Sequence, residues 1–579
     1  LERVYVLRPI TLNEPSPAIV AQDAVRRLPR WALLLLCLAY VVPGYVGRDP
    51  WKSADLAAFG IMRELAGETS WTAWWHPSLM GLAPDTPALL PYWLGAWALQ
   101  WAPAWVAPDF AARLPFLLML AGTLAVTWYA VYDLARHPGA QPVAFAFGGE
   151  ARATDYARAL ADGGLLALIA TLGLAQFSHE TTPALGQLFC STLVFGGLAG
   201  LPFRPRAAPV ALVVGLPGLV LSGAPSIALI FGGVATLGLL RPSADHLPPA
   251  LRRRAGLVLG ATTLACAALA WFSGLLSWQL ADPGSGWGNP RALGRLLLWF
   301  TWPAWPLVLW ALWRWRRQLG QLGRQRHLGL PLLIAGVPVA CTVATPAGDR
   351  ALLLALPAMA CLAALALPTF KRGAAALIDW FTVLFFSAWT LIIWVVWISM
   401  QTGVPAQPAA NVARLAPGFQ PSFQWLALIA ALAATAAWIA LARWRTGRHR
   451  TALWKSLVLP AAGATLCWLL LMTLWLPALN YARGYAPQMR QVRQLVGDAP
   501  CVQVHGLSVA QVAAVRFHGS WDTVPARSLA SCPWLLVDVD ATASLPATVT
   551  MAHWRLVKEV HRPTTKDENL LVYRRVGGP

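Results

Sequence analysis

Long apolar runs, separated by short arginine-rich segments, are the feature that most restricts how this chain can fold. Each run approaches the ~20 apolar residues that a helix needs to cross a bilayer. Charged residues make up only 12% of the 579 residues, against roughly 25% in a soluble globular protein. The sequence therefore predicts an α-helical polytopic membrane protein. The thirteen candidate spans are 31–46, 114–135, 159–176, 184–201, 208–222, 225–240, 255–275, 296–313, 329–344, 351–368, 375–399, 424–442 and 456–477.

The arginines set the predicted orientation of these spans. If residues 1–30 are cytoplasmic, every arginine-rich loop falls on the cytoplasmic side, as the positive-inside rule requires. This agreement needs the run Ala88–Trp105 to lie on the membrane surface, which fits its interruption by Pro91 and Pro103. The net charge of +20 then belongs to cytoplasmic loops, so no nucleic-acid partner is expected. No cleavable signal peptide is evident. The arginine-rich loops are 136–158, 202–207, 241–254, 314–328, 369–374 and 443–455.

Two regions outside the spans are long enough to carry structure of their own. The first outer loop, 47–113, contains a predicted amphipathic helix at about 55–66, which would lie on the membrane surface. The tail, 478–579, is predicted to be a small periplasmic α/β domain, leaving 31–477 as the transmembrane domain. The tail combines a helix-like stretch at 485–496 with strand-like runs at 501–504, 534–539 and 569–573.

The cysteines divide between the spans and the tail. Six of the eight lie in or beside predicted spans, whereas Cys501 and Cys532 both lie in the tail. An oxidising compartment would permit a disulfide between these two. Two unpaired buried thiols are the alternative.

Acidic residues are scarce, and several of them fall on predicted outer loops. Each could simply be a solvated loop residue, and Asp55 could cap the helix that follows it. However, the turns that carry Glu180 and Arg350 are too short to move far from the ends of their spans. Side chains on these turns could therefore line one cavity. The candidates are Asp49, Lys52 and Asp55 in the segment GRDPWKSADLAAFG, then Asp85, His179, Glu180, Asp349 and Arg350.

These residue types suit acid–base chemistry on a phosphate-bearing substrate. A carboxylate can act as a general base, and an arginine binds phosphate through two parallel hydrogen bonds. The sequence has no CxxC motif, no paired histidines and only ten histidines, so a divalent metal is possible but no cofactor is indicated. It also lacks a GxxxxGK[ST] phosphate loop and a GxGxxG motif in a strand–helix context, which argues against nucleotide use.

Five motifs in order resemble the membrane glycosyltransferases of the GT-C class that use polyprenyl-phosphate sugars. KSADLAAFG at 52–60 resembles the acidic motif that opens the first outer loop of that family. The resemblance is strongest to the bacterial lipid A aminoarabinose transferases, which are related to protein O-mannosyltransferases. The later motifs are PDTPALLPYWL at 84–94, ARLP at 112–115, DRALLLALP at 349–357 and LPALNY at 476–481.

The chain departs from the family pattern at two positions. Glu180 stands where the family usually has Asp, and it would do similar work with a longer reach. Thr86 stands where the family often has Lys, which removes a positive charge near the expected sugar or phosphate site. The identity of the donor sugar and of the acceptor therefore does not follow from the motifs.

The resemblance implies transfer of a sugar from an undecaprenyl-phosphate donor to lipid A or a related envelope glycan. The reaction would be a single inverting displacement at the periplasmic face of the bacterial inner membrane. It implies that Asp55 is the general base, that Glu180 supports it and that Arg350 binds the donor phosphate. The other pocket candidates are Asp85, His179, Asp49 and Lys52.

Two alternatives remain open at the level of sequence. One is a transporter or flippase of lipid-linked sugars, a class that often shows internal repeats and ionisable residues near mid-membrane. No convincing repeat is evident, and the acids cluster on one predicted face. The other alternative is a protein O-glycosyltransferase, in which the acceptor is a protein hydroxyl.

Overall fold

The chain folds into a large helical domain followed by a small tail domain that contains a β-sheet. The computed structural model describes residues 16–241, 248–276, 290–344, 348–370, 372–446, 452–527, 532–565 and 568–576. Residues 277–289 of the predicted outer loop 276–295 and parts of the loops 241–254, 345–350, 369–374 and 443–455 lie outside these residues. Helices of the first half are Arg30–Val41, Ala54–Gly67, Trp71–Trp75, Leu90–Trp101, Pro108–Ala135, Ala153–Ala170, Leu172–Phe177, Pro183–Gly200, Ala207–Leu221, Pro225–Leu240 and Pro249–Phe272. Those that follow are Pro290–Phe300, Ala304–Arg314, Arg316–Leu319, Arg326–Ala344, Gly348–Leu353, Leu356–Ala364, Arg372–Thr402, Ala406–Leu415, Trp425–Thr446, Lys455–Leu471, Leu476–Arg483, Ala486–Val496 and Val509–Ala514.

Each predicted span falls on one or more helices, but many of these helices are short. Among the described residues, six are long and apolar enough to cross a membrane, or up to eight if each of two bent pairs counts as one span. The count of thirteen spans therefore stays a prediction, whereas an integral membrane protein with several apolar helices is supported. The six are Pro108–Ala135, Pro183–Gly200, Pro249–Phe272, Arg326–Ala344, Gly373–Thr402 and Trp425–Arg445.

Some runs that the sequence presents as single spans are broken in the structure. The run 296–313 bends by 84° between two helices, and Pro303 lies at the break. The run 456–477 ends in a 69° bend before a second helix, which has Pro477 in its first turn. Proline lacks the backbone donor and clashes with the preceding turn, so helices begin at it more readily than they continue through it.

The first long loop forms helices that are too short to span. The run 88–105 contains the helix Leu90–Trp101, which has 12 residues. At about 1.5 Å per residue it is far shorter than the ~30 Å hydrocarbon layer. The helix Ala54–Gly67, hereafter the surface helix, covers the predicted amphipathic stretch. The name refers to the prediction only, because every residue from Asp55 to Met62 is buried within the protein, so this part of the helix is enclosed on all sides.

The tail domain contains a mixed five-stranded sheet in the order β2-β1-β3-β5-β4. The central strand β3 pairs in parallel with β1 and antiparallel with β5. The sequence predicted β1, β3 and β5 but not the two edge strands. β2 has only four residues and ends in Pro525, and β4 carries Arg555 and Lys558. Edge strands tolerate proline and charge, so neither strand has the apolar pattern by which the others were predicted. The strands are β1 (Cys501–His505), β2 (Asp522–Pro525), β3 (Trp534–Asp538), β4 (Trp554–Val560) and β5 (Leu570–Arg575).

A disulfide joins Cys501, the first residue of β1, to Cys532, which lies two residues before β3. Cys501 and Cys532 are bonded, with their Cα atoms 5.3 Å apart, inside the usual range for such a bond. The structure thus has the pairing that the sequence allowed rather than two unpaired thiols. The bond fixes the two parallel neighbours β1 and β3 at one end of the sheet.

The tail domain packs directly against the surface helix. A Cβ atom on Gly60 would lie 2.5 Å from Cβ of Ala513, so the two helices approach as closely as their backbones permit. The rings of Phe59 and Phe517 meet edge to face at 4.9 Å, and Arg516 forms an ion pair with Glu64. The absence of a side chain at position 60 therefore permits this domain contact.

Replacing Gly60 with Ala should loosen the contact between the two domains. The added methyl cannot fit unless the helices separate, and overpacking of this kind costs about 1–3 kcal/mol. Gly67→Ala, at the end of the same helix, is the control, because nothing lies within 4 Å of its Cβ position. We expect a lower unfolding temperature and faster proteolysis of the tail domain for Gly60→Ala only. Equal behaviour of the two variants would contradict the close contact.

Candidate functional site

Asp55 lies buried in the first turn of the surface helix, where it joins two loops. Its Oδ2 accepts hydrogen bonds from Arg48 Nη2 at 2.7 Å and from the Trp51 backbone N–H at 3.2 Å. Its Oδ1 accepts from the backbone N–H of Thr181 at 2.8 Å and from the Thr181 hydroxyl at 2.6 Å. Ser53, not Asp55, occupies the N-cap position, so the carboxylate binds the loops rather than capping its own helix.

The contacts of Asp55 keep it ionised despite its burial. Burial alone would raise the pKa of this carboxyl, since its residue is only 2% exposed. The positive charges of Arg48 and Arg113 and the two hydrogen bonds from Thr181 outweigh that effect and hold the pKa below its ordinary value. A carboxylate with a lowered pKa and four donors has little capacity left to accept a further proton.

Arg48 is the main partner of Asp55 and is completely buried. Its guanidinium also donates to the backbone carbonyl of His179 at 2.7 Å and lies over the Trp51 ring at 4.7 Å. Among the described residues, its Nε and Nη1 atoms have no hydrogen-bond partner. Arg48 and Asp55 each bind the turn around residues 179–181, Arg48 through the His179 carbonyl and Asp55 through Thr181. The pair therefore connects the first long loop to that turn. We call the group Arg48, Trp51, Asp55 and Thr181 the Asp55 centre.

Glu180 occupies the same turn but faces a different partner. Its Oε2 lies 3.7 Å from Arg350 Nη2, and the residue is 8% exposed. Burial and the nearby Asp55 charge raise the pKa of the Glu180 carboxyl to about 7, although Arg350 and Arg48 oppose this shift. Glu180 can therefore exchange a proton near neutral pH, which Asp55 cannot.

A cavity of about 620 Å³ opens beside these two carboxylates; we call it the central cavity. Arg350 and Asp85 supply charged groups to its wall, and Ala57, Ile61 and Ile227 supply apolar surface. Neither Asp55 nor Glu180 lines the cavity; Ala54 and Ala57 of the surface helix do, as does Arg350, the partner of Glu180. The cavity thus offers an apolar side for a hydrocarbon chain and an arginine for an anionic group.

The structure separates the remaining predicted site residues. Asp85 is on the cavity wall, whereas Lys52 points to the tail and pairs with Glu568 at 3.1 Å. His179 is fully buried between the rings of Tyr40, Tyr45 and Trp468. Burial lowers the pKa of this imidazole to about 3, so it packs as a neutral ring beneath the turn that carries Glu180.

Two other predicted positions lie away from the central cavity. Asp49 is half-buried and lines a separate groove near the tail domain. Burial and the nearby charge of Asp109 raise the pKa of the Asp49 carboxyl. The side chain of Asp349 lies outside the described residues. The structure therefore brings together Asp55, Glu180, Asp85 and Arg350, but not Lys52, His179 or Asp49.

Sequence reasoning missed Arg48, Thr181 and Asn480 as site residues. Asn480 accepts hydrogen bonds from the Asp49 backbone N–H at 3.2 Å and from Trp51 Nε1 at 3.0 Å, and it donates to the Gly47 carbonyl at 3.1 Å. Arg48 lies in the burst of charge around Asp55, so its charge was a usable signal. Nothing local marks Thr181 or Asn480, because their partners lie 126 and 431 residues away in the chain.

Among the described residues, the site has no group of side chains that could bind a metal ion. Within the ranges that the structure describes, no three His, Cys, Asp or Glu side chains approach closely enough to hold a metal ion. Asp55 and Glu180 are instead neutralised by Arg48 and Arg350.

Comparison with known proteins identifies the fold. No protein-family model matches the sequence, and no curated protein matches it. The apo crystal structure of ArnT from Cupriavidus metallidurans superimposes with a TM-score of 0.55 at 14% identity, covering 95% of this chain and 99% of that one. The structure of the same protein bound to undecaprenyl phosphate gives a TM-score of 0.52 at 16% identity with the same coverage. The predicted resemblance to the aminoarabinose transferases of the GT-C class is thus confirmed at the level of the fold.

Proposed function

We propose that this chain is a membrane glycosyltransferase that uses a polyprenyl-phosphate-linked sugar. One observation carries the proposal: Arg350 on the wall of the central cavity lies 3.7 Å from Glu180, and the same cavity has an apolar wall. Sugar transfer from a lipid-linked sugar phosphate needs a cation that binds the phosphate, a base close to it and an apolar wall for the lipid chain. The shared fold with ArnT, one of whose structures holds undecaprenyl phosphate, supports the same carrier class.

Arg350 is the proposed phosphate ligand. Its guanidinium lies on the cavity wall and is 35% exposed, so a ligand can reach it. Binding of a phosphate there would add negative charge close to Glu180. Because Arg350 already contacts one carboxylate, it would be shared between Glu180 and the departing phosphate during the reaction.

The contacts favour different roles for the Asp55 and Glu180 carboxylates. The motif resemblance assigned the general base to Asp55 and a supporting role to Glu180. Neither carboxylate lines the cavity, but Asp55 is fully hydrogen-bonded, whereas Glu180 has a pKa of about 7 and pairs with Arg350 on the cavity wall. We therefore propose Glu180 as the proton acceptor and Asp55 as the positioning residue that holds the Arg48 and Thr181 loops together.

The proposed step is a single displacement with inversion at the sugar. The acceptor hydroxyl oxygen attacks the anomeric carbon while the bond from that carbon to the phosphate oxygen breaks. The polyprenyl phosphate leaves with the bonding electron pair next to Arg350, and Glu180 takes the hydroxyl proton. Asp85, on the cavity wall, would accept hydrogen bonds from the hydroxyls of the donor sugar.

The proposed acceptor is lipid A or a related envelope glycan, at the periplasmic face of the bacterial inner membrane. The disulfide of the tail domain supports an oxidising compartment for that side of the protein. The predicted loop charges support the same orientation. A protein hydroxyl is the competing acceptor, and a lipid-linked-sugar transporter is the competing function.

Reconstitution in liposomes tests this function and its phosphate site together. The purified protein is supplied with a radiolabelled undecaprenyl-phosphate sugar and lipid A, and the label is followed in both lipids and across the bilayer. We expect label to move to the acceptor, and Arg350→Gln to raise the donor KM by roughly 10- to 100-fold, the value of a charge-assisted contact. Arg414→Gln, an exposed change on the helix Ala406–Leu415, is the control. Movement of the donor across the bilayer without transfer would establish the transporter instead.

A further inference from the structure

A second recess, separate from the central cavity, lies where the helical domain meets the tail domain. It has a volume of about 700 Å³, and we call it the polar groove. Four chain segments form it: the first outer loop at Asp49, the connection between the helices Arg372–Thr402 and Trp425–Thr446, the end of the helical domain near Tyr481, and the helix Ala486–Val496. Its polar wall consists of Asp49, Gln420, Ser422, Asn480, Arg490 and Gln494.

The side chains of this wall are of the kind that binds sugars. Carboxylate, amide and guanidinium groups are planar and can each engage two neighbouring hydroxyls. Phe419 and Tyr481 add aromatic surface, with ring centroids 5.5 Å apart. The Tyr481 hydroxyl is fixed by the Pro417 carbonyl at 2.6 Å, so the ring is held in place. The groove therefore presents both hydrogen-bonding groups and a rigid apolar face.

Several of these polar groups are not engaged by the protein. Within the described parts of the chain, the side chains of Gln420, Arg490 and Gln494 form no hydrogen bond or ion pair. Asp49 and Arg490 line the same groove and attract each other electrostatically. They form no direct ion pair with each other among the described residues. A ligand that carries hydroxyl groups could bridge this gap.

An exposed apolar border accompanies the polar groove. Leu415, Phe423 and Trp425 on the same connection are 70%, 46% and 71% exposed. They lead into the helix Trp425–Thr446, and only 11% of the apolar segment of this helix is buried within the protein. Large exposed apolar side chains at the end of such a helix belong at a membrane surface. A ligand in the groove would therefore have its polar part beside the protein and its apolar part in lipid.

The groove also shares a wall with the Asp55 centre. Asn480 in the groove binds the backbone of Gly47 and Asp49 and the indole of Trp51. Arg48 and the Trp51 backbone, in the same short stretch, bind Asp55. One stretch of five residues, 47–51, thus lies between the polar groove and the positioning residue Asp55.

We propose that the polar groove binds the saccharide headgroup of a membrane-anchored glycolipid, which is the acceptor of the transfer reaction. This inference rests on the proposed glycosyltransferase function and specifies its acceptor. The hydroxyl-binding wall selects a saccharide, and the apolar border selects one attached to lipid. A protein acceptor would need neither the uncommitted polar groups nor the lipid-facing border.

Two arginines on one helix provide a matched test. Both are exposed, but Arg490 lines the groove, whereas Arg493 lies outside it and pairs with Asp498 at 3.7 Å. We expect Arg490→Gln to raise the KM for lipid A by roughly tenfold, with the donor KM unchanged, because one charge-assisted contact is lost. Gln494→Ala should act in the same direction. Arg493→Gln and Gln491→Ala should behave as wild type.

A binding measurement separates this proposal from the proposed function. The full-length protein in nanodiscs is titrated with the deacylated, water-soluble headgroup of lipid A, with no donor present. Weaker binding to Arg490→Gln than to Arg493→Gln supports the groove even if no transfer is observed. If wild-type protein transfers sugar but Arg490→Gln matches it in acceptor KM and headgroup binding, the groove proposal fails while the enzyme function stands.

Discussion

Glu180→Gln is expected to lower the rate of sugar transfer by about 10²- to 10⁴-fold, the usual contribution of a general base. Gln keeps the shape of the side chain but cannot take a proton. The donor KM should not rise, because the change removes a competitor for Arg350, which lies 3.7 Å away. Glu68→Gln, an exposed change just beyond the surface helix, is the control. A Glu180→Gln enzyme with a near-normal kcat would remove this residue from the chemistry.

The pH dependence of kcat separates the two carboxylates. Glu180 must be ionised to act as a base, and its pKa is raised to about 7. Activity should therefore be lost as pH falls through about 7 and recovered as it rises. If Asp55 were the base, as the motif resemblance implied, its lowered pKa would place the acidic limb below the ordinary carboxyl range. A wild-type profile that stays flat between pH 5 and about 8 would therefore favour Asp55.

Breaking the Arg48–Asp55 pair is expected to produce the largest loss of stability. Each of Arg48→Met and Asp55→Asn leaves one buried charge without its partner, which costs about 3–5 kcal/mol. Transfer should also fall by at least about 100-fold, because the loops around the cavity lose their alignment. Unfolding temperature and transfer rate are measured for both single variants and for the double variant.

The double variant Arg48→Met/Asp55→Asn tests whether the pair acts as a unit. With both charges removed, stability should return to within about 1–2 kcal/mol of wild type, since Asn can still accept from Thr181. Transfer should not return, because the loops lose the Arg48 contact to the His179 carbonyl. If the two single losses simply add in the double variant, the two residues are not energetically coupled.

The broad architecture follows from the sequence because hydropathy and charge act locally. Each predicted span falls on helix, and the proline-interrupted run 88–105 forms a short helix. The bends at Pro303 and before Pro477 were missed, because a run of apolar residues looks continuous whether or not its helix changes direction. β2 and β4 were missed because edge strands need little hydrophobic alternation.

The site, like the fold, could be predicted from the sequence only in part. Scarcity of acids and short turns were enough to single out Asp55, Glu180 and Arg350 from the sequence. The roles of the two carboxylates depend on which donors surround each of them, and this is a tertiary property. Thr181 contributes half of the hydrogen bonds to Asp55, and its own local sequence gives no sign of that contact.

The contacts of the stretch 47–52 also bear on the order in which the molecule is made. Lys52 pairs with Glu568, and the backbone of Asp49 is held by Asn480. A ribosome at ~5–20 residues per second produces these partners tens of seconds after the stretch itself has been inserted. The nascent chain must therefore keep Lys52 and the Asp49 backbone without these partners until synthesis is nearly complete, whereas Arg48 and Asp55 can pair as soon as the first loop exists. Maturation of the site is consequently a late, post-insertion event, and contacts of such long sequence separation form slowly.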